Sequence, residues 1–158
     1  MTKAQMRKYL FLDIDGVLNS ARTFASSQGR LLGRYFLDRE MIARLDQLLE
    51  ATGAHVVISS CWRQGDGGEG VARILRACGM RHADRIVGET ARLDGIRGTE
   101  IADWMRDRWD VQAFAIVDDD NDMGPLSPHL VQTSWQDGLQ EEHVRRLIEL
   151  LDLEVAAC

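Results

Sequence analysis

Apolar residues along the chain fall into two patterns, short continuous runs and repeats with helical spacing. Continuous runs are typical of buried strands, and they lie at residues 9–12, 55–60, 85–87, 114–117 and 130–131. Helical repeats lie between them and predict helices over residues 39–52, 71–78, 100–108 and 139–151. Because strands alternate with helices, we expect βαβ units that build a mainly parallel sheet with helices on both faces. The predicted fold class is therefore α/β, a Rossmann-like three-layer sandwich.

Polar residues and glycines mark the ends of these elements. Asp38 is placed to cap the first long helix and Gly53 to end it, and Thr99 is placed to cap a later one. Residues 20–37 are polar and contain two glycines, a composition that indicates a hairpin or flap. Residues 61–70 contain four glycines and are predicted to form a loop beside the second strand.

The chain has the size and composition of one soluble globular domain, which we expect to span residues 1–158. It has 45% hydrophobic and 28% charged residues, and no apolar run is long enough to span a membrane. The N-terminus has no continuous apolar segment typical of a secretory signal. The three cysteines are scattered without a CxxC pair, so a disulfide framework or a zinc site is not expected. These features predict a cytoplasmic protein with reduced thiols and no membrane partner.

The charge of the chain restricts its relation to nucleic acid. A formal net charge of −6 argues against a protein that coats nucleic acid without specificity. Among the basic residues only Lys3 and Lys8 are lysine, and the others are arginine. The guanidinium group suits bidentate binding of phosphate, although arginine is also common in proteins from GC-rich genomes. Local contacts with phosphate groups therefore remain compatible with the acidic composition.

Polar side chains recur where three of the predicted strands end. Asp13 and Asp15 follow the first strand, Ser59 and Ser60 end the second, and residues 118–120 are three aspartates that follow the third long run. In an open α/β sheet the ligand site lies outside the carboxyl ends of the strands, where these groups would meet. Buried carboxylates at strand ends are costly without a cation. We therefore predict a site for a metal ion and a phosphoryl group, with Arg97 as a fixed positive charge.

The order and spacing of these residues resemble those of the haloacid dehalogenase (HAD) superfamily of aspartyl phosphohydrolases. The sequence DIDGVL at 13–18 resembles the first motif of that superfamily, and VVISS at 56–60 resembles the second. Arg97 resembles the third motif and IVDD at 116–119 the fourth, so the resemblance covers about residues 9–119. The flanking sequences SSCWR, RGTEIADW and IVDDDND are more similar to small HAD domains of RNA-repair proteins, which resemble the phosphatase half of polynucleotide kinase-phosphatases.

This resemblance implies roles for the acidic residues. Asp13 would be the nucleophile that forms an aspartyl-phosphate, and Asp15 would be the general acid and base. The metal ligands would be Asp13, Asp15 through its backbone carbonyl, and one or both of Asp118 and Asp119. Hard oxygen ligands suit Mg²⁺ better than zinc.

The resemblance also implies residues that bind the substrate. Ser60 is favoured as the phosphate-binding hydroxyl because the family often has a small residue just before it, and Ser59 is the alternative. Arg97 would bind the transferring phosphoryl oxygens, with Arg92 as a less favoured candidate. Trp62 and Arg63 follow the second strand, where they could stack on a substrate or bind a second phosphate. Packing of Trp62 under the loop is the alternative.

The spacing of the motifs leaves no room for a sizeable cap domain. By resemblance, capless sites of this kind act on macromolecular ends or are closed by a partner. The expected function is Mg²⁺-dependent removal of a terminal phosphate, at the 3′ end, from RNA or DNA. The alternatives are a small-molecule phosphatase that acts on nucleotides or sugar phosphates, and a non-catalytic binding module with the same fold. The sequence indicates no partner protein.

Overall fold

The computed structural model describes residues 5–26, 36–63 and 65–153. Five parallel strands in this part of the chain form one sheet, and they are β1 (Arg7–Leu12), β2 (His55–Ile58), β3 (Ile86–Glu89), β4 (Val111–Asp118) and β5 (Leu130–Gln132). The helices are α1 (Ala21–Ala25), α2 (Arg39–Thr52), α3 (Gly67–Ala77), α4 (Arg97–Met105) and α5 (Glu141–Asp152). Short 3₁₀ helices span Cys61–Arg63, Ala83–Arg85 and Gly124–His129. The predicted α/β class with a parallel sheet is confirmed.

Strand β1 lies at the centre of the sheet, whose order is β3-β2-β1-β4-β5. Leu12, the last residue of β1, is in register with Ile58 of β2 and Val117 of β4. The three strands therefore end at the same level, and the residues that follow them share one edge of the sheet. This register explains why acids that are distant in sequence meet in space.

The core covers both faces of the sheet because neighbouring residues of β1 point to opposite sides. Leu10 and Leu12 belong to a large apolar cluster that includes side chains of α2, α3 and α5. Tyr9 and Phe11 belong to a second cluster, which includes Ile101 of α4. The continuous apolar run of β1 is thus the pattern of a strand that is buried on both faces.

Several helix ends differ from the sequence prediction. Helix α2 agrees with it: the Asp38 carboxylate accepts hydrogen bonds from the backbone at its start, and Gly53 ends it in the left-handed conformation with φ 70°. Helix α3 begins at Gly67, so the second half of the predicted glycine-rich loop is its first turn. Helix α4 begins at Arg97 rather than after Thr99, which lies inside the helix. The prediction was wrong there because a distant residue, Asp122, accepts the first hydrogen bonds of α4.

The strands also differ in length from their apolar runs. Strand β2 ends at Ile58, so Ser59 and Ser60 lie beyond its end, and β4 is longer than predicted in both directions. Helix α1 was not predicted because its five residues carry too little apolar periodicity. Residues 27–35 of the predicted hairpin or flap lie outside the described residues.

The described segments around the sheet edge contain no sizeable cap. Residues 90–96 form the whole connection between β3 and α4. None of the helices among the described residues is long and apolar enough to cross a membrane. Cys61 and Cys78 are free thiols.

Candidate active site

Three carboxylates meet at the carboxyl edge of the sheet. Asp13 follows β1, Asp118 ends β4 and Asp119 follows it, and one oxygen of each lies within 4.8 Å of the others. Asp13 is 6% exposed and Asp118 is 1% exposed. Asp119 is partly exposed, so the two buried acids lose most of their hydration, and all three carboxylates repel one another. The cluster therefore has the composition and spacing of a cation site.

Burial and mutual repulsion raise the pKa values of two of these acids. Burial, followed by the charge of Asp13, raises the pKa of Asp118 to about 8. Burial raises the pKa of Asp13 to about 6, although the positive charge of Arg97 opposes the rise. The Oδ2 atom of Asp118 is buried and has no hydrogen-bond partner among the described residues. A divalent cation would satisfy this oxygen and keep both acids ionised, so the residues fit Mg²⁺.

The raised pKa of Asp118 predicts how the metal-free protein responds to pH. Between pH 3.8, its ordinary pKa, and about 8, the folded state holds a proton that the unfolded chain has released. The free energy of unfolding should therefore fall as the pH rises through this window. We expect thermal unfolding in EDTA to show a midpoint that decreases from pH 5 to pH 9, and Mg²⁺ to reduce this decrease. Asp118→Asn should weaken the dependence, and a midpoint that rises with pH in EDTA would contradict the assignment.

Asp15 lies beside the acid cluster and is held by two donors. The side-chain amide of Asn19 donates to its Oδ1 at 2.9 Å, and the indole N–H of Trp62 donates to its Oδ2 at 3.0 Å. Asn19 also accepts a hydrogen bond from the backbone N–H of Gly16, which ties the turn together. The carboxylate is thus oriented by groups on both sides of the site, one from the turn after β1 and one from the segment after β2.

Gly16 allows this turn to approach the acids closely. Its φ of +80° is a conformation that side chains rarely adopt, and a Cβ there would lie 2.4 Å from Oδ2 of Asp119. Its carbonyl accepts a hydrogen bond of 2.6 Å from the hydroxyl of Thr133, which follows β5. Gly16, the glycine of the predicted first motif, is therefore required both for the positive φ of the turn and for the close approach to Asp119.

The hydrogen bond from Trp62 to Asp15 can be tested separately from the packing of the ring. Trp62→Phe keeps an aromatic ring and removes the N–H, so we expect Asp15 to lose one of its two fixed donors. Because the resemblance implies that Asp15 is the general acid of a phosphatase, turnover of an alkyl phosphoester should fall about tenfold, the effect of one hydrogen bond to a charged group. Turnover of an aryl phosphate, whose leaving group needs less protonation, should fall less. Trp109→Phe, at a tryptophan that is 70% exposed, is the control; equal losses in both variants would refute the positioning role.

The two candidate serines have different surroundings. The hydroxyl of Ser60 interacts with the carboxylate of Asp13 and lowers its pKa, and it accepts the backbone N–H of Trp62 at 3.2 Å. The hydroxyl of Ser59 is buried and has no hydrogen-bond partner within the described part of the chain. Both residues lie beyond β2, but the structure brings only the side chain of Ser60 into contact with Asp13.

The arginines take different positions around the site. The Nε atom of Arg97 lies 4.0 Å from Oδ2 of Asp118, and its charge acts on Asp13. Arg63 donates to the carbonyl of Ser60 at 2.7 Å and to the carboxylate of Glu100 at 2.5 Å. Both partners of this ion pair are buried, and burial lowers the pKa of Arg63. Arg97 therefore lies beside the acid cluster. Arg63 instead links Ser60, in the segment after β2, to Glu100 of α4.

Three residues that support the site were not singled out by the sequence analysis, namely Asn19, Glu100 and Thr133. A fourth, Asp122, appeared there only within the flanking sequence IVDDDND. Asp122 accepts the backbone N–H of Arg97 through its side chain and that of Gly98 through its carbonyl, both at 3.1 Å. Asn19 alone is close in sequence to its backbone partner, Gly16, and asparagine side chains can bond the backbone three residues before them. The other three contacts join residues that are distant in sequence.

The comparisons with known proteins agree with this arrangement. The family model of the HAD domain in Swiss Army Knife RNA repair proteins matches residues 9–144, which include every acid and arginine described above. No curated protein matches the chain. The matched range covers most of the chain and all of the sheet except Arg7 and Lys8 at the start of β1. The chain therefore belongs to the family of HAD domains that occur in Swiss Army Knife RNA repair proteins.

Proposed function

We propose that this chain is a Mg²⁺-dependent phosphatase that removes a terminal 3′ phosphate from a polynucleotide through an aspartyl-phosphate on Asp13. The observation that carries the proposal is the buried cluster of Asp13, Asp118 and Asp119 with Arg97 beside it. The cluster places two further carboxylates around Asp13 and one guanidinium group beside them. This arrangement suits transfer of a phosphoryl group better than binding of a neutral ligand.

In the first step a carboxylate oxygen of Asp13 attacks phosphorus, and the bond from phosphorus to the 3′ oxygen breaks. Asp15, in its protonated form, gives its proton to the leaving 3′ oxygen, which departs as a hydroxyl. The donors of Asn19 and Trp62 orient Asp15 for this transfer. In the second step ionised Asp15 takes a proton from water, which attacks phosphorus and releases inorganic phosphate. Asp13 is then regenerated as a carboxylate.

The remaining groups would hold the phosphoryl oxygens during both steps. Arg97 can pair with two of them, and the hydroxyl of Ser60 can donate to a third. When bound by the three acids, Mg²⁺ would neutralise charge on the carboxylates and on the phosphoryl group. Asp122 accepts the backbone N–H of Arg97, and Arg63 donates to the carbonyl of Ser60. Both phosphate-binding residues are therefore held in position before the substrate binds.

Two observations support a polynucleotide end as the substrate. The matching family is described by its occurrence in RNA repair proteins. The short connection at residues 90–96 gives the site no sizeable cover within the described part of the chain, which would let a long substrate reach it. A 3′ phosphate on a nucleic-acid end is an alkyl phosphoester, which needs the general acid that Asp15 would supply.

The proposal is tested by the release of inorganic phosphate from three substrates, each with Mg²⁺ and with EDTA. These are an oligoribonucleotide with a 3′ phosphate, the same strand with a 5′ phosphate, and an aryl phosphate. We expect Mg²⁺-dependent release that is fastest from the 3′-phosphorylated strand. Release from the aryl phosphate alone would support phosphatase activity but would contradict the polynucleotide substrate and favour a small-molecule phosphatase. Release from none of them would overturn the proposal and favour a binding module.

A further inference from the structure

An open cleft of about 770 Å³ lies between the end of β3, the start of α4 and the 3₁₀ helix Cys61–Arg63. Its volume is within the range of pockets that hold a nucleotide-sized ligand. Its basic lining residues are Arg63, Arg92 and Arg97, and Thr90 adds a hydroxyl. Among these four, only Arg97 binds the transferring phosphoryl group in the proposed reaction.

The cleft adjoins the acid cluster through Arg97. Arg97 belongs to both, since it lines the cleft and lies 4.0 Å from Asp118. Arg63 lines the cleft and donates to the carbonyl of Ser60, whose hydroxyl contacts Asp13. A substrate whose terminal phosphate lies at Asp13 therefore has this cleft as a neighbouring space.

Several polar donors around the cleft have no acceptor among the described residues. Thr90 is 1% exposed, yet its hydroxyl makes no hydrogen bond there. The Nε of Arg63 and the Nη1 of Arg97 are also buried and unpartnered. Leaving a buried donor unpaired costs free energy. Since the terminal phosphate would serve Arg97, the hydroxyl of Thr90 and the Nε of Arg63 are the donors that point to acceptor atoms from another part of the ligand. Arg92 is exposed at the rim and has no ion-pair partner in the described segments.

The charges of the cleft favour an anion near Arg92. Glu100 is engaged by Arg63, and Glu89 accepts a hydrogen bond from the backbone of Gly68 at 2.9 Å. Glu89 stays negatively charged, because a backbone N–H is neutral, so Glu89 and Asp94 are the acids that oppose an anion among the described lining residues. The guanidinium groups of Arg92 and Arg97 both act on Arg63, whose own charge Glu100 offsets, so Arg92 and Arg97 supply the positive charge of the cleft. Asp94 would then weaken the binding of an anion that Arg92 attracts.

We propose that this cleft binds the phosphodiester that precedes the terminal nucleotide, with Arg92 and Thr90 as its donors. The inference rests on the proposed 3′-phosphatase function and adds a prediction of its substrate specificity. The enzyme would prefer an oligonucleotide end to a nucleoside monophosphate because only the former carries the second phosphate. The preference would come from charge in the cleft and not from contacts with the bases.

Two dinucleotides with a terminal 3′ phosphate isolate that second group. One has an ordinary phosphodiester, and the other has a neutral methylphosphonate at the same position. We expect the wild-type protein to show a kcat/KM about tenfold higher for the charged linkage, the effect of about one charge-assisted hydrogen bond. Arg92→Gln should bring this ratio close to one, whereas Asp94→Asn should raise it. Arg76→Gln, at an exposed arginine in the last turn of α3, should leave the ratio unchanged.

A structural role for Arg92 would lower kcat/KM equally for both dinucleotides, so an unchanged ratio in Arg92→Gln would overturn the inference. A wild-type ratio near one would also overturn it. If neither dinucleotide is hydrolysed, the proposed function fails, and calorimetric binding of the two dinucleotides to the wild-type protein then decides the question. Tighter binding of the charged linkage that Arg92→Gln removes would support the cleft as an anion site, and equal binding would refute it.

Discussion

Replacing Asp13 with asparagine is expected to lower phosphate release from a 3′-phosphorylated oligonucleotide by about 10⁴-fold or more, because the amide cannot attack phosphorus. The substitution keeps the size of the side chain and removes one of three crowded acids. Because burial raises the pKa of Asp13 to about 6, the charged form is disfavoured in the fold. The metal-free variant should therefore be at least as stable as the wild-type protein at neutral pH.

Measuring both phosphate release and stability distinguishes loss of the nucleophile from unfolding of the protein. Asp84→Asn, in the 3₁₀ helix Ala83–Arg85 before β3, is the matched control, and it should retain both activity and stability. Acid-quenched protein incubated with a substrate labelled in its terminal phosphate should carry label in the wild type and none in Asp13→Asn. An Asp13→Asn variant that remains folded and hydrolyses the oligonucleotide at the wild-type rate would exclude Asp13 as the nucleophile.

Replacing Gly98 with alanine is expected to destabilise the protein by about 3 kcal/mol, as overpacking of a tight contact does. A Cβ at Gly98 would lie 2.0 Å from the backbone oxygen of Met123 and 2.5 Å from the carbonyl carbon. Backbone atoms cannot move aside as a flexible side chain can, so α4 or the segment after β4 must shift. Since Arg97 precedes Gly98 and Asp118 precedes that segment, the distance between guanidinium and acids would change. Activity should fall together with stability.

Gly88→Ala is the matched control for this prediction. A Cβ at Gly88 would lie 3.8 Å from Nε1 of Trp104, which is ordinary contact, and the backbone there does not require glycine. Urea unfolding of the two variants should therefore give a large loss for Gly98→Ala and almost none for Gly88→Ala. Equal stability of the two variants would show that the approach of α4 to Met123 is not as tight as described.

Much of the fold could be predicted from the sequence because the strongest patterns are local. The apolar run that forms β1 is buried on both faces, which leaves no polar position to confuse the pattern. Helix α2 carries both of its end signals, Asp38 and Gly53, within its own sequence. Where the end of an element is fixed by a distant partner, the prediction failed. Helix α4 begins at Arg97 because Asp122 accepts its first N–H groups, and Thr99 only resembled a cap.

The residues of the site also include some that could be predicted from the sequence and others whose contacts only the structure revealed. The sequence by itself determined that acids follow β1 and β4 and that serines follow β2, because each group is adjacent to an apolar run. The parallel topology then requires these groups to share an edge. Only the tertiary structure decided that Ser60 contacts Asp13, that Trp62 donates to Asp15 and that Arg63 pairs with Glu100. Such contacts depend on side-chain direction and on the path of connecting segments, which strand and helix periodicity does not encode.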